Sequence, residues 1–168
     1  MKNYICINGN KTELTPEQLK QLGIELPKAN PFERTEKYTT YYSIDTAGVV
    51  RDCNERNDGV DNMFYSIGNY CTDKSLMEQR ALHETLNRLL WRYSMEHDGD
   101  KIDWENTNQC KYYIAFDHVS EKCYVDGMYT DSVVGTVCFN TCDITQNAIE
   151  KIVKPFMKAH PDFRFNAI

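Results

Sequence analysis

The chain has 168 residues, of which 41% are hydrophobic and 26% charged, an ordinary composition for a globular protein. Its 25 acidic and 19 basic residues give a net charge of −6, which opposes non-specific attraction to the phosphates of nucleic acid. No run of about 18 apolar residues occurs, and the apolar segment at the N-terminus is too short for a secretory signal, so neither a membrane span nor export is expected. These features predict a cytoplasmic protein with one main domain.

The N-terminal region is predicted to form a small hairpin followed by a helix. Residues 4–7 form a β run that meets Asn-Gly-Asn at 8–10, a strong hairpin signal, and 12–14 is the expected return strand. Thr15, Pro16 and Gln18 have the pattern of a capping box at the start of a short helix. The sequence therefore predicts a compact hairpin-helix at this end of the chain.

Residues 24–37 are predicted to be an extended linker, because prolines 27 and 31 interrupt any regular periodicity. The predicted division is thus a small N-terminal region, 1–37, and a main domain, 38–168. An alternative for the linker is a partner surface that contains Phe32 and Arg34, since a loop aromatic beside an arginine suits a binding hot spot.

The first part of the main domain is predicted to be a β-hairpin. Residues 38–45 are rich in tyrosine and threonine, 46–48 supply the turn, and 49–53 return. The polar stretch 55–61 lacks the ligand ladder of a calcium loop and is predicted to be a solvated turn. Residues 64–70 form a short aromatic run that leads to the next element.

The longest predicted element is a helix over residues 72–98, about 40 Å long at 1.5 Å per residue. Thr72 is the expected cap, and Asp73 carries the negative charge that a helix N-terminus favours. The predicted apolar stripe comprises Met77, Leu82, Leu86, Leu89, Leu90, Trp91 and Tyr93. The strands and loops of the domain are expected to pack against this stripe.

The last third of the chain predicts three strands, 111–116, 123–129 and 133–139, and a helix that extends to residue 158. Pro155 is expected to kink or end that helix early. Trp104, in a polar loop, is predicted to fill the edge of the core, with exposure to a partner as the alternative. The fold class is therefore α+β: an antiparallel sheet packed on a long central helix, with a C-terminal helix and the small N-terminal hairpin-helix.

The chain lacks the familiar motifs of catalysis and metal binding. His83-Glu84 resembles the start of a zinc-protease helix, but Asn87 stands where the second histidine would be. Phosphate-binding loops, dinucleotide turns and nucleophile elbows are missing. The seven scattered cysteines favour free thiols over a zinc site. No catalytic residue, metal or cofactor is predicted, although a cysteine nucleophile stays open.

Aromatic residues make up 12% of the chain, and tyrosine dominates them. Five of the tyrosines are predicted to cover sheet faces: Tyr41, Tyr42, Tyr112, Tyr113 and Tyr124. Alternatively, one sheet face edged by Arg51 and Arg56 binds a protein partner or stacks on a nucleotide. The candidate binding residues are Phe32, Arg34, Tyr41, Arg51, Arg56, Tyr65, Trp104 and Tyr112.

Six segments that together span nearly the whole chain carry a family resemblance. They are INGNKTELTPEQLKQLGI, NPFER, YYSIDTAGVV, DNMFYSIGNYCTD, ALHETLNRLLWRYSMEHDGDKIDW and IEKIVKPFMKAHPDF. They resemble a family of small uncharacterised proteins from phages and prophages of Gram-positive hosts. The resemblance implies a phage context without an activity. By analogy of size, it implies an inhibitor of host defence such as an anti-CRISPR protein.

Three functions are expected, in the following order. The first is a stoichiometric inhibitor of a bacterial defence system, with a CRISPR effector nuclease as first target, because an acidic domain is steered towards a positive channel. The second is a sponge that sequesters a nucleotide-derived immune signal through tyrosines and arginines. The third is a cysteine-dependent enzyme. The expected partner is a host defence protein or a nucleotide immune signal in the bacterial cytoplasm, and a homo-oligomer is left open.

Overall fold

The computed structural model describes residues 4–7, 10–23 and 30–165. The chain divides into two compact units, Met1–Glu33 and Arg34–Ile168. Strands and helices are both abundant and every strand pair is antiparallel, which confirms the predicted α+β class. Within the described residues, no helix is both long and apolar enough to cross a lipid bilayer.

The smaller unit contains the predicted hairpin and helix. Strand β1 (Tyr4–Ile7) pairs antiparallel with β2 (Asn10–Glu13), and α1 (Pro16–Gln21) follows. The capping box is confirmed, because the Gln18 amide donates to the Thr15 hydroxyl and the Thr15 amide donates to the Gln18 side chain. Turn residues 8 and 9 and linker residues 24–29 lie outside the described part of the chain.

The larger unit begins with the predicted hairpin, in which β3 (Thr40–Ile44) pairs with β4 (Val50–Asn54). The prediction of a solvated turn at 55–61 is wrong. Helix α2 (Gly59–Ser66) starts there, because the Asp58 carboxylate accepts from the amides of Val60 and Asp61. The Asp61 carboxylate accepts in return from the Asp58 amide, and this reciprocal cap fixes the first turn.

Helix α3 (Lys74–Glu96) is the predicted long helix. Its cap is Asp73 rather than Thr72, since the Asp73 carboxylate accepts from the Leu76 amide at 3.1 Å. The apolar stripe is confirmed for Met77, Leu86 and Tyr93, which are buried; Ala81, outside the predicted stripe, is buried as well. Trp91 does not belong to it and is 61% exposed. At about 100° per residue, Trp91 lies almost opposite Tyr93 on the helix.

The second sheet of the larger unit has three strands in the order β6-β5-β7: β5 (Lys111–Asp117), β6 (Lys122–Met128) and β7 (Cys138–Phe139). The third strand is much shorter than the predicted 133–139. Residues 133–136 form a turn instead, closed by the Thr136 amide and the Val133 carbonyl at 3.1 Å, with Gly135 at a φ of +81°. Only a glycine adopts this conformation without strain.

The C-terminal helical segment continues past Pro155 to Ala159, close to the predicted end at residue 158, so the proline does not end it early. It consists of α4 (Cys142–Ala148), a π-helical turn (Ile149–Val153) and α5 (Lys154–Ala159), with Thr141 as the N-cap. An α-helical proline clashes with the carbonyl four residues earlier. The wider π turn just before Pro155 changes this spacing and accommodates the ring.

Helix α3 is central because it contributes residues to each of the three hydrophobic clusters formed by the described residues. Met77 and Ala81 pack with Ile44 and Cys71. Further along, Leu86 packs with the C-terminal segment and Tyr93 with the three-stranded sheet; their buried partners are Val153, Phe156, Phe163, Phe139 and Ala148. Thus two separate sheets, rather than one, pack along the helix.

Candidate functional site

A groove with a volume of about 500 Å³ lies in the larger unit between α3, the short 3-10 turn Gly99–Lys101 and the segment before β7. Its apolar side chains are Trp91, Met95, Ile102, Trp104 and Val137, and we call it the tryptophan groove. Pockets of this volume commonly accept a small molecule or an anchoring side chain of a partner. It is therefore a candidate binding site.

The floor of the tryptophan groove is closely packed. Ser94 is 3% exposed, and its hydroxyl donates to the Cys138 carbonyl at 2.6 Å, which ties α3 to β7. A Cβ atom at Gly99 would collide with the Ser94 side chain, so glycine is needed for the chain to turn this close to the helix. The floor is thus preformed.

Three large apolar side chains at the tryptophan groove are exposed to solvent. Trp91 is 61% exposed, Trp104 is 56% exposed and the neighbouring Met95 is 43% exposed. Tryptophan usually buries most of its ring, so two exposed tryptophans beside one groove make this surface a candidate for recognition. The prediction that Trp104 fills the edge of the core is wrong, and the alternative of an exposed ring is the one observed.

The loop that carries Trp104 is braced by its own polar contacts. The Asp103 carboxylate accepts from the amides of Glu105 and Asn106, and the Asp103 amide donates to the Gln109 side chain at 2.7 Å. The Gln109 side chain also donates to Asn140 at 3.0 Å. The loop is held by these bonds, and burial of the indole ring is not needed to order it.

Lys111 joins the loop that carries Trp104 to the segment that follows β6. Its side chain is 1% exposed, and its ammonium donates to the carbonyls of Asn106 at 2.6 Å and Tyr129 at 3.1 Å. A buried ammonium needs such acceptors to offset its loss of water. Lys111 therefore clamps the loop that contains Trp104 to the chain that leads towards Val137.

The two rims of the groove differ in charge. On the loop rim, Lys101 is surrounded by acidic residues at 98, 100, 103 and 105. On the helix rim, Arg92 lies 3.9 Å from Glu96, whereas Arg88, 3.7 Å from Glu84, shares that carboxylate with Arg80, so this rim has one more arginine than glutamate. The loop rim beside Trp104 is therefore negative, and the helix rim, where Arg88 lines the groove, is slightly positive.

A second polar centre, which we call the acidic centre, is formed by Glu55 and Asp61. These carboxylates are 1% and 3% exposed. Glu55 accepts two hydrogen bonds from the Arg34 guanidinium, at 2.9 and 3.1 Å, and one from the Tyr70 hydroxyl at 3.0 Å. The Tyr41 hydroxyl donates to Asp61 at 2.8 Å, and its ring stacks on Tyr70 with centroids 4.0 Å apart.

These contacts keep both carboxylates ionised. The hydrogen bond from Arg34 lowers the pKa of Glu55 and outweighs the effect of burial. Burial raises the pKa of Asp61, but hydrogen bonds from the Tyr41 hydroxyl and from the Arg56 and Asp58 amides outweigh it and bring the pKa to about 2. The acidic centre is thus a hydrogen-bonded structural network, in which Arg34 neutralises Glu55 and neutral donors hold Asp61.

Helix α2 turns an uncharged face to solvent. Its one charged residue, Asp61, is buried, while Val60, Met63 and Tyr65 are 54%, 50% and 45% exposed. Ile67, directly after the helix, is 63% exposed. The helix therefore has its polar anchor inside and apolar side chains outside, the reverse of the usual pattern.

Backbone strain lies next to the acidic centre. Tyr38 and Asn57 have φ values of +71° and +61°. The Tyr38 amide donates to the Glu55 carbonyl, and the Asn57 amide donates to the Glu55 carboxylate, each at 2.7 Å. A tyrosine in the left-handed region is uncommon, and here the two bonds to Glu55 hold the strained segments in place.

The predicted binding residues do not form one site. Arg34, Tyr41, Arg56 and Tyr65 lie around the acidic centre, where Arg34 is 5.9 Å from the Tyr65 ring. Tyr41 is 1% exposed, so its ring is not available to a ligand. The other four are dispersed: Arg51 beside Asp45 on the hairpin, Trp104 in the groove, half-buried Tyr112 on β5, and exposed Phe32 in the smaller unit.

The sequence missed most of the tryptophan groove. Met95, Ile102 and Val137 carried no distinguishing signal, because their proximity depends on how β7 and the loop pack on α3. Trp91 carried one signal: helical spacing places it away from Tyr93 and the centre of the stripe. An aromatic residue that lies outside the apolar stripe of a helix is expected to expose its ring to solvent.

Three of the cysteines are poor nucleophiles. Burial raises the pKa of the Cys71 and Cys138 thiols, and raises that of Cys123 to about 11. Since the thiolate is the reactive form, these thiols are protonated at neutral pH. In the part of the chain that the structure describes, no group of three or more histidine, cysteine, aspartate or glutamate side chains could hold a metal ion.

Comparison with known proteins supplies no relative from which a role could be transferred. No protein-family model, curated protein or solved structure matches the chain. The exposed tryptophans and the charge of the loop rim are therefore the main physical guides to function.

Proposed function

We propose that the protein is a phage-encoded inhibitor of a bacterial defence system that binds a host protein stoichiometrically through the tryptophan groove. The observation that carries the proposal is the pair of exposed rings, Trp91 and Trp104, beside a preformed cavity. Tryptophan is among the residues most enriched in binding hot spots, and methionine and arginine are also enriched at interfaces. Met95 and Arg88 line the same groove.

The chemistry of the groove favours binding over turnover. Its lining is mostly apolar, and its polar members include Ser94, whose hydroxyl is committed to the Cys138 carbonyl. Burial keeps the Cys138 thiol protonated. A protein that inhibits by covering its target's surface needs no reactive group. It needs anchor side chains that exclude water from the interface.

The proposed target is a positively charged host defence protein in the bacterial cytoplasm, with a CRISPR effector nuclease ranked first. The net charge of −6 and the acidic loop rim would steer the protein towards such a surface. A CRISPR effector holds its guide–target heteroduplex in a positively charged channel. The phage origin and the host-defence context are part of the same proposal.

Titration of the target separates a binding protein from an enzyme. Purified effector nuclease is incubated with increasing amounts of the protein, and DNA cleavage is measured. We expect inhibition to saturate at a fixed molar ratio, independent of incubation time. Inhibition that grows with time at substoichiometric protein would overturn the proposal and favour an enzyme.

The same assay locates the binding site. We expect Trp91→Ala combined with Trp104→Ala to weaken inhibition by more than about thirtyfold, the loss of one hot spot of at least about 2 kcal/mol. Ile67→Ala is a matched control, because Ile67 is 63% exposed but lies outside the groove. Full inhibition by the double tryptophan variant would show that the groove is not the surface that binds the target.

A further inference from the structure

We propose that the tryptophan groove takes a partner segment in which an apolar side chain is flanked by arginine or lysine. This inference rests on the proposed function and names the chemistry of the surface that the groove recognises. Three features carry it: the charge of the loop rim, the position of the Trp104 ring within that charge, and the apolar wall opposite.

The loop rim is strongly acidic. Within residues 98–105 four carboxylates face one lysine, so the segment has a net charge of −3 (four minus one). Lys101 is paired with Asp98 at 2.7 Å, and Asp103 accepts from backbone amides. Asp100 and Glu105 are exposed, so their carboxylates are accessible to a cation on a partner.

The ring of Trp104 lies within this charge, between Asp103 and Glu105 in sequence. Tryptophan is the best aromatic partner for a cation, and arginine is the more frequent cation in such contacts. A guanidinium that stacks on the indole can donate to a carboxylate at the same time, because it is planar and presents five N–H groups. One arginine can therefore use both features.

The opposite wall selects an apolar side chain. Trp91 and Met95 on α3 and Val137 before β7 present carbon atoms to the cavity, with Arg88 also on its lining, and the Ser94 hydroxyl at the floor is already bonded. A purely cationic segment would leave this wall in contact with water. A purely apolar segment would bring no cation to Asp100 and Glu105. A segment that alternates the two kinds of side chain satisfies both rims.

Such segments are typical of protein surfaces that hold nucleic acid phosphates, where lysine and arginine dominate the contacts. A partner arginine that is stacked on Trp104 and bonded to a carboxylate is no longer free for a phosphate. We therefore expect the protein to compete with nucleic acid for the partner's surface, and not to bind nucleic acid itself.

Tryptophan fluorescence tests the inference directly, because the chain has two tryptophans and both line the groove. The protein is titrated with three ten-residue peptides: alternating arginine and leucine, alternating glutamate and leucine, and alternating arginine and serine. We expect the arginine–leucine peptide to shift the emission saturably and to bind at least tenfold more tightly than the other two. Its dissociation constant should rise with salt.

Charge-neutralising variants complete the test. We expect Asp100→Asn combined with Glu105→Gln to weaken binding of the arginine–leucine peptide about tenfold, with an unchanged melting temperature. The control is Asp52→Asn combined with Glu78→Gln, which removes the same charge; Glu78 is about 20 Å from Trp91 along α3. Equal binding of the three peptides, or an unchanged affinity in the groove variant, would overturn the inference.

These outcomes are distinct from failure of the proposed function. If the peptides bind equally while the double tryptophan variant loses inhibition, the groove binds a protein partner without selecting for positive charge. If the double tryptophan variant inhibits fully, the groove is not the inhibitory surface, whatever the peptides show.

Discussion

The Arg34 guanidinium holds both carboxylate oxygens of Glu55, with Nη2 2.9 Å from one and Nε 3.1 Å from the other. The pair joins residues 21 positions apart in the chain. Glu55 is 1% exposed, whereas the Arg34 side chain is 28% exposed. The arginine thus covers a buried carboxylate at the edge of the core, and this arrangement gives a measurable stability contribution.

Replacement of Glu55 by glutamine should reduce the free energy of unfolding by about 2–3 kcal/mol, because a charged acceptor of several hydrogen bonds becomes a neutral one. Urea denaturation measures the loss. Glu84→Gln is the matched control, since Glu84 pairs with Arg80 and Arg88 on the exposed side of α3. Its effect should stay within about 0.5 kcal/mol. Equal losses in the two variants would contradict the prediction.

The acidic centre should make the protein less stable in acid. The pKa of Asp61 is lowered from 3.8 to about 2, so native Asp61 binds fewer protons than its unfolded counterpart. Its contribution is present above pH 3.8 and is lost as the pH falls towards 2. The lowered pKa of Glu55 acts in the same direction.

Urea denaturation between pH 5 and pH 2.5 checks this dependence. Asp61→Asn should flatten the decline in stability with falling pH, since the substituted side chain does not titrate. Asp52→Asn, at an exposed position on β4, should leave the slope of the wild-type curve unchanged. A parallel decline in the wild type and in Asp61→Asn would show that other carboxylates govern acid unfolding.

Truncation of two large residues of α3 should reduce stability by very different amounts. Leu86→Ala should cost about 2–5 kcal/mol, because Leu86 is 5% exposed and packs against Val153 and Phe156. Trp91→Ala should change the free energy of unfolding by no more than about 0.5 kcal/mol, because most of its ring is in water. Thermal or urea denaturation compares them. A large loss at Trp91 would mean that its ring supports the fold.

Lys111→Met should loosen the groove without abolishing the sheet. The change leaves the carbonyls of Asn106 and Tyr129 without a buried donor, at a cost of about 1–3 kcal/mol. Backbone amides of residues 104–109 should then exchange hydrogen faster. Lys122→Met, at the exposed start of β6, is the control and should leave this exchange unchanged. If hydrogen exchange were unchanged in Lys111→Met, Lys111 would not hold the Trp104 loop in place.

The elements with local signals were predictable. Helix α3 follows from its apolar period, and α1 from the Thr15–Gln18 capping box, because both depend on residues a few positions apart. Helix α2 was missed although it has a comparable signal. Asp58 and Asp61 form the cap, but the aspartates also fit a polar turn, and their burial depends on Tyr41 in a preceding strand.

Long-range pairing explains most of the other differences. Glu55 is buried only because Arg34 and Tyr70, on different segments, reach its carboxylate, and nothing near Glu55 in sequence indicates them. The proximity of Trp91 and Trp104 likewise depends on the turn at Gly99 and on the bond from Ser94 to β7. Such pairings belong to tertiary structure.

The tryptophan groove is assembled from three stretches, residues 87–95, 99–104 and 135–138, and this discontinuity has a practical consequence. No excised linear peptide would reproduce the surface, so peptide arrays of this sequence should fail to capture a partner that the intact chain retains. Conversely, an antibody that blocks the groove should recognise native protein and lose the epitope on a denaturing blot. Proteins that share this surface need not share any contiguous motif with the chain.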